Sequence, residues 1–286
     1  QLGGQELKLD ADGDTSIQVS TDDTMVFDTA GSERMRIDAG GSVLIGQSTP
    51  TDLHNTWNHL IIGNRGSVIS QNGAGGVDGM TVSYNAYIDA DTGGYAYIAT
   101  DEASILTQQN GTLQYSNAAS GTAGNAITFD TKLKIDADGH VTMPKQSAFL
   151  AGPLTGASAQ SGLAVGSDVT IILGNEIYDV NGDFASNTFT APVTGKYHLS
   201  ANITYNHFDE DSTQVQSGIK TSNRNYINQI DPDIFQEDAD IITMTLTVVA
   251  DMDANDTATV FYNQTGGSAQ TNVGKETTTF SGCLLA

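Results

Sequence analysis

Residues 187 to 205 read NTFTAPVTGKYHLSANITY, a strand, a turn and a second strand. In the second strand Tyr197, Leu199, Ala201, Ile203 and Tyr205 fall on one face, with His198, Ser200, Asn202 and Thr204 on the other. That two-residue period is what a half-buried strand requires, because successive side chains point to opposite sides. Pro192 presets φ and Gly195 accepts positive φ, so the two bracket a turn. From Ser147 onward similar segments recur at the rhythm of a sandwich: residues 168–173, 189–192, 196–205, 214–221, 241–250, 257–262 and 278–285. Residues 241–250 set Ile242, Met244, Leu246, Val248 and Ala250 against three threonines. Seven or eight such strands predict a two-sheet jelly roll over residues 147–286.

The first half repeats a phrase. Leu7-Lys-Leu-Asp-Ala-Asp-Gly13, Met35-Arg-Ile-Asp-Ala-Gly-Gly41 and Leu133-Lys-Ile-Asp-Ala-Asp-Gly139 each predict a strand, an Asp/Gly turn and a return strand. The Asp side chain can close such a turn by accepting from nearby backbone N–H groups. A two-strand unit of this length is marginal alone. The spacing of the copies is too irregular for an even solenoid, so winding with two further chains is expected to cover them. This divides the chain into an N-terminal β-shaft and attachment end at 1–50, a β-rich knob at 51–131, a β neck at 132–146 and the head at 147–286. Within the knob, Leu53, Trp57, Leu60 and Ile61 fit one face of a short helix starting near Thr51 or Asp52. Residues 80–84, 95–98 and 112–115 read as strands between Gly-rich turns at 72–76 and 91–94. Trp57, Tyr95 and Tyr97 are read as core, with an exposed ligand platform as the alternative.

Composition supports an all-β class. Glycine is abundant (31 residues), charged residues are only 16%, and the helix formers Lys, Arg and Glu are scarce. An apolar fraction of 38% is low for a self-sufficient chain of 286 residues, which points to a core completed by copies of itself. The formal charge is −23, divided almost evenly between residues 1–146 and 147–286. Such a surface repels phosphate backbones and anionic lipid, so neither nucleic acid nor a membrane is an expected partner. No apolar run approaches 18 residues. Cys283 is the only cysteine and is read as a small buried residue. Gln1 is not an initiating Met, so the chain is expected to be processed or to lack its first residues.

Residues 28–46 (DTAGSERMRIDAGGSVLIG) and 111–143 resemble the strand-and-turn segments of phage tail fibres, particularly those of marine phages. The head is similar to the trimeric globular head of the complement first component, a relative of the tumour-necrosis-factor fold. Four features carry that likeness: Ala148-Phe-Leu150; Asn181-Gly-Asp-Phe184 followed by Phe189-Thr-Ala-Pro-Val-Thr-Gly-Lys-Tyr197; Asn255-Asp256 before Thr257-Ala-Thr-Val260; and Phe280-Ser-Gly-Cys-Leu-Leu285. No collagen-like Gly-X-Y stalk accompanies it. The two resemblances imply a homotrimeric virion fibre, extracellular, attached to a tail or capsid protein at its N-terminal end and meeting a host cell-surface glycan or protein with its head. The alternatives are a structural fibre whose head only trimerises, and a secreted adhesin.

Catalytic chemistry is not signalled. GxSxG, HExxH, CxxC and Walker patterns are all missing, and no enzymatic activity is expected. The segments at 206–211 and 225–238, read as loops, offer His207, Phe208, Tyr226 and Phe235 as receptor contacts, with packing against other subunits as the alternative. Asp10-Ala-Asp-Gly-Asp14 and Asp251-Met-Asp-Ala-Asn-Asp256 lack the Gly and Glu of a calcium loop. They are read as turns needing no cofactor. The resemblance adds calcium as a candidate at Asp251, Asp253 and Asp256, since heads of this type sometimes hold it.

Overall fold

The computed structural model describes residues 6–21, 23–46, 52–71, 79–153, 160–275 and 277–286. Among them the secondary structure is all β apart from the 3₁₀ turn Pro232–Ile234. No described helix is long and apolar enough to cross a membrane. The chain divides into two compact units, Gln1–Pro144 and Lys145–Ala286.

The N-terminal unit is built on one twelve-stranded sheet in which strands follow one another in chain order from Leu7–Lys8 to Val141–Thr142. Val43–Ile45 pairs with Trp57–Ile62 and Thr112–Gly121 with Asp130–Ile135, so described strands from 1–50, 51–131 and 132–146 belong to a single hydrogen-bonded ladder. The three Asp turns close as their chemistry requires. Asp38 Oδ1 accepts from the Ser42 N–H at 2.8 Å, and the Asp38 N–H donates to the Ser42 carbonyl at 3.0 Å. Asp136 Oδ1 accepts from the His140 N–H at 2.9 Å, and Asp10 Oδ1 from the Gly13 N–H at 3.0 Å. Gly41 and Gly139 take φ of +85° and +90°, open to glycine and strained for a side chain.

The helix read near residue 52 is a strand instead, Trp57–Ile62. Leu53, Trp57, Leu60 and Ile61 do not share a face: Ile61 is buried, while Leu60 lies on the opposite side. The i, i+3, i+4 spacing fits either element. Pairing decides it, parallel to Val43–Ile45 on one side and antiparallel to Gly66–Gln71 on the other. Thr51 and the Gly-rich turn at 72–76 lie outside the described residues.

Between Gly79–Tyr84 and Asp101–Gln109 the chain leaves the sheet as a small pair, Ala86–Ile88 with Tyr95–Tyr97. It is tied to the sheet by Ser67 and Ser83, whose hydroxyls donate to the Ala86 carbonyl. Tyr97 donates to the Ala119 carbonyl at 2.6 Å, and Tyr95 meets Phe129 edge-on at 5.4 Å. His59, only 2% exposed, is enclosed on this side. Its Nε2 accepts from the Ile88 N–H at 3.1 Å, so the ring proton sits on Nδ1, 3.4 Å from Ser42 Oγ.

The C-terminal head has two antiparallel sheets. The first runs Asn175–Val180, Ala148–Gly152, Thr279–Leu284, Gly195–Phe208 and Ala239–Met252, with Asn272–Val273 also pairing on Gly195–Phe208. The second runs Phe184–Ala185, Thr188–Thr190, Thr257–Gly266, Ser212–Thr221 and Asn225–Ile230, with Val169–Thr170 on Thr257–Gly266. Tyr197, Leu199, Ala201, Ile203 and Tyr205 all turn into the core, as their alternation requires, against Val215, Ile219, Val260 and Tyr262. Phe149 stacks on Phe189 and Phe184 at 4.7 and 5.0 Å. Each such ring contributes about 1.5–3 kcal/mol by leaving water. The Tyr205 hydroxyl is satisfied by Ser217 Oγ at 2.6 Å.

Residues 225–238 are not one loop. Asn225–Ile230 is an edge strand, followed by the Pro232–Ile234 turn, in which the Asp233 N–H donates to Asp231 Oδ1 at 3.2 Å. Asn228 on its inward side and Ile227 on its outward side hide the strand from a hydrophobicity pattern. Gly218 lets this strand close in, because a Cβ there would strike the Tyr226 carbonyl and stand 3.1 Å from the Phe261 ring.

Burial pushes His59 down to about 4, below its ordinary value near 6.5. In the unfolded chain the ring takes up its proton around pH 6.5; in the folded unit it stays neutral until about pH 4. Its share of stability is therefore complete above pH 6.5 and falls by up to about 1.4 kcal/mol per pH unit as acidity carries the protein through that window. Urea unfolding followed by the fluorescence of Trp57, the chain's single tryptophan, should show this loss between pH 7 and pH 4. His59→Gln should flatten it, and an unchanged pH slope in that variant would refute the assignment.

Candidate interaction site

The register of the N-terminal sheet collects apolar side chains on one face. Val19 lies opposite Met25, Met25 opposite Ile37, Ile37 opposite Val43 and Val43 opposite Leu60. The row continues from Leu60 to Val68, Val82, Leu106, Tyr115 and Leu133. It thus crosses ten adjacent strands without a charged or polar residue. A second row runs beside it through Leu7, Ile17, Phe27, Met35, Ile45 and Ile62. The opposite face holds the buried Val26, Leu44, Ile61, Ile69 and Ile105. The rows are not covered: Val19, Val82, Leu106 and Tyr115 are between 39% and 48% exposed. With strands about 4.8 Å apart, the long row spans roughly 45 Å. A contiguous uncharged strip of that length exceeds the scattered apolar side chains that a monomer normally shows and has the form of an association surface.

The head presents a second kind of surface. Tyr226 from the edge strand, Asp251 from the end of Ala239–Met252, and Asp253 just beyond it come together with Asn223, Arg224 and Val249 around a cleft of about 490 Å³. Asp251 also pairs with Lys196 Nζ at 2.5 Å, and Asp253 Oδ1 accepts from Thr194 Oγ1 at 3.4 Å. The sequence marked Tyr226 and the two aspartates for separate reasons and missed Asn223, Arg224 and Val249. A polar Ser-Asn-Arg turn carrying one of only four basic residues in this half was the available signal.

The remaining candidates go elsewhere. Asp256 is used by its own turn, where Oδ2 accepts from the Asp253 N–H at 2.8 Å and from Asn223 Nδ2 at 2.5 Å. Asp251, Asp253 and Asp256 therefore do not converge as a cation cage. The groups of potential ligands that do converge among the described residues are Asp10, Asp12 and Asp14, and Asp136, Asp138 and His140, all on turns of the N-terminal unit. The Thr15 hydroxyl and backbone hold Asp10 below the usual carboxylate range, and the His140 N–H does the same for Asp136. His207, Phe208 and Phe235 lie at the other end of the head, because Phe208 pairs with Ala239 while Gly195 pairs with Met252. His207 is exposed at φ +52°. Phe208 is no surface residue: the strand continues through it and buries it fully, against Tyr205 and edge-on to Phe235. Phe235 is half-buried against the same core. Glu210 beside them is pushed up by burial and by the neighbouring Asp211 and Asp238, so that end is crowded with carboxylates.

No protein-family model matches the chain, and no curated protein matches it. Among solved structures the chain is similar to the globular domain of zebrafish complement 1qA protein, at 16% identity and TM-score 0.34, covering 49% of this chain and 98% of that one. It is similar also to murine APRIL at pH 8.0, at 11% identity and TM-score 0.35, covering 49% of this chain and all of that one. A second murine APRIL structure, at pH 5.0, gives 12% identity and TM-score 0.34 over the same share. The head's assignment as a jelly roll rests on its own strand pairing and core rather than on these scores.

Phe208→Ala should remove about 3–5 kcal/mol from the head, as loss of a buried ring does. His207→Asn, which tolerates the left-handed backbone, should leave the unfolding midpoint where it was. Calorimetry of the two variants checks this; a Phe208→Ala head as stable as the parent would move Phe208 back to the surface.

Proposed function

We propose that this protein is a homotrimeric virion fibre of the phage tail-fibre type, which joins a tail or capsid protein at its N-terminal end and meets the host cell surface through its C-terminal head. The observation that carries the proposal is the ten-strand apolar row. Three copies turned inward about one axis cover three such rows at once, removing each from water and leaving the acidic groups outside. The low apolar fraction and a net charge of −23 spread along the chain agree with a slender assembly whose core is shared between copies. The resemblance of residues 28–46 and 111–143 to phage tail fibres supplies the virion context.

On this reading the protein binds and does not catalyse. Each head makes a weak contact, and three in one trimer raise the effective concentration of the second and third once the first is engaged. A head that only trimerises would leave adsorption to some other protein.

Sedimentation equilibrium should return three times the chain mass of 30.0 kDa. Val82→Lys with Leu106→Lys, which places charges in the row, should lower that mass toward one chain, since an unpaired ion in an apolar seam costs several kcal/mol. The purified protein should also adsorb to the cells on which its virion grows and reduce infection. A stable single chain or a twofold pair would overturn the trimer, and failure to adsorb would overturn host attachment.

A further inference from the structure

We propose that the cleft between the two sheets of the head is a binding site for a neutral saccharide unit. The inference deepens the reading that the head meets the host surface and rests on it. A volume of about 490 Å³ lies within the usual range of small-molecule sites, about 300–1,000 Å³. Three lining residues stand on strands, Tyr226 held by pairing with Ile219, and Val249 and Asp251 by pairing with His198 and Lys196; Asn223, Arg224 and Asp253 stand on the turns directly beside those strands. The strand-borne groups lose little freedom when a ligand arrives.

The polar groups around the cleft are arranged but not used up. Among the described residues the Arg224 guanidinium makes no ion pair or hydrogen bond, although two carboxylates line the same cleft. Asn223 is anchored through Nδ2 to Asp256, and its Oδ1 remains an acceptor. Lys196 holds one oxygen of Asp251, and Thr194 one oxygen of Asp253. Each carboxylate keeps a second oxygen for another donor. Tyr226 and Val249 supply apolar surface beside these groups, Tyr226 braced on the core and Val249 58% exposed.

Charge narrows the ligand class. Arg224 and Lys196 offset Asp251 and Asp253, and Asp256 behind Asn223 leaves one net negative charge on the cluster, a small excess within a chain of −23. An anion would meet two carboxylates and the field of the whole chain, and a cation would meet an unpaired guanidinium. A pyranose has what the cleft asks for: hydroxyls that both give and accept hydrogen bonds, and a C–H face to lie on a ring or an aliphatic side chain. Acceptors on one wall and an Arg fork on the other favour adjacent hydroxyl groups.

The test is a titration of the full chain, followed by saturation-transfer NMR, with glucose, galactose, mannose, N-acetylglucosamine and N-acetylgalactosamine. Concentrations run to about 50 mM, enough to detect dissociation constants of several mM. Sialic acid, inorganic phosphate and choline serve as charged comparisons. At least one neutral sugar should bind saturably and in preference to the charged probes. Arg224→Ala should weaken it about tenfold, as should Asp253→Asn, which keeps the side-chain shape should the first variant fail to fold. Saturable binding of charged probes alone, no saturable neutral sugar, or undiminished binding by both variants would each overturn the proposal. Cell adsorption separates the two readings. If the parent adsorbs and both variants adsorb equally, the cleft is not the contact and the fibre reading stands. If the parent does not adsorb, the fibre reading fails and the sugar titration still judges the cleft.

Discussion

Strand register is the constraint on which the N-terminal unit depends. A β-strand turns alternate side chains to opposite faces, so a slip of one residue at any pairing would send every apolar side chain beyond it to the wrong side. Short turns prevent that slip. Asp10, Asp38 and Asp136 each clamp the backbone of the turn that follows, and glycines at left-handed positions complete the reversal. Where the ladder does shift among the described residues, between Val19 and Thr21, Phe27 and Asp28, Asp101 and Ala103, or Tyr115 and Ser116, the irregularity falls beyond the long apolar row. The one parallel step, from Val43–Ile45 to Trp57–Ile62, also preserves the face.

The head solves a different problem, that of closing the two ends of a sandwich. At the end near His207, the buried carboxylate of Asp209 accepts from Gln264 Nε2 at 2.9 Å, from the Asp211 N–H at 3.2 Å and from the Ser268 N–H. Gln264 in turn receives the Tyr262 hydroxyl and donates to the carbonyls of Gly266 and Ser268. These bonds join the turn at 209–211 to the turn at 266–268. At the opposite end Arg224, Asp251 and Asp253 stay open to solvent.

Much of this architecture was legible in the chain. The strict alternation of Tyr197 to Tyr205 and of Ile242 to Ala250 named core faces that the head uses, and the Asp/Gly phrases named their turns. Less visible were elements whose inward residues are not all apolar. Asn225–Ile230 turns Asn228 inward and Ile227 outward, and so reads as a loop. Trp57–Ile62 carries apolar residues at helical spacing as well as at strand spacing, and only its neighbours on either side choose between them. The apolar row was invisible for another reason: its members lie on ten strands spread over more than a hundred residues, and cross-strand partners are set by turn lengths that no local window contains. The cleft likewise joins residues from two sheets. Single residues such as Tyr226 can be nominated from sequence, but their company cannot.

Because nearly every strand of the N-terminal sheet pairs with its predecessor in the chain, the sheet behaves as a series of hairpin modules. Inserting or deleting one strand-turn-strand module changes the count by two and returns the chain with the same side facing outward. A chain that gained or lost such a module would keep the apolar row of the N-terminal sheet in phase.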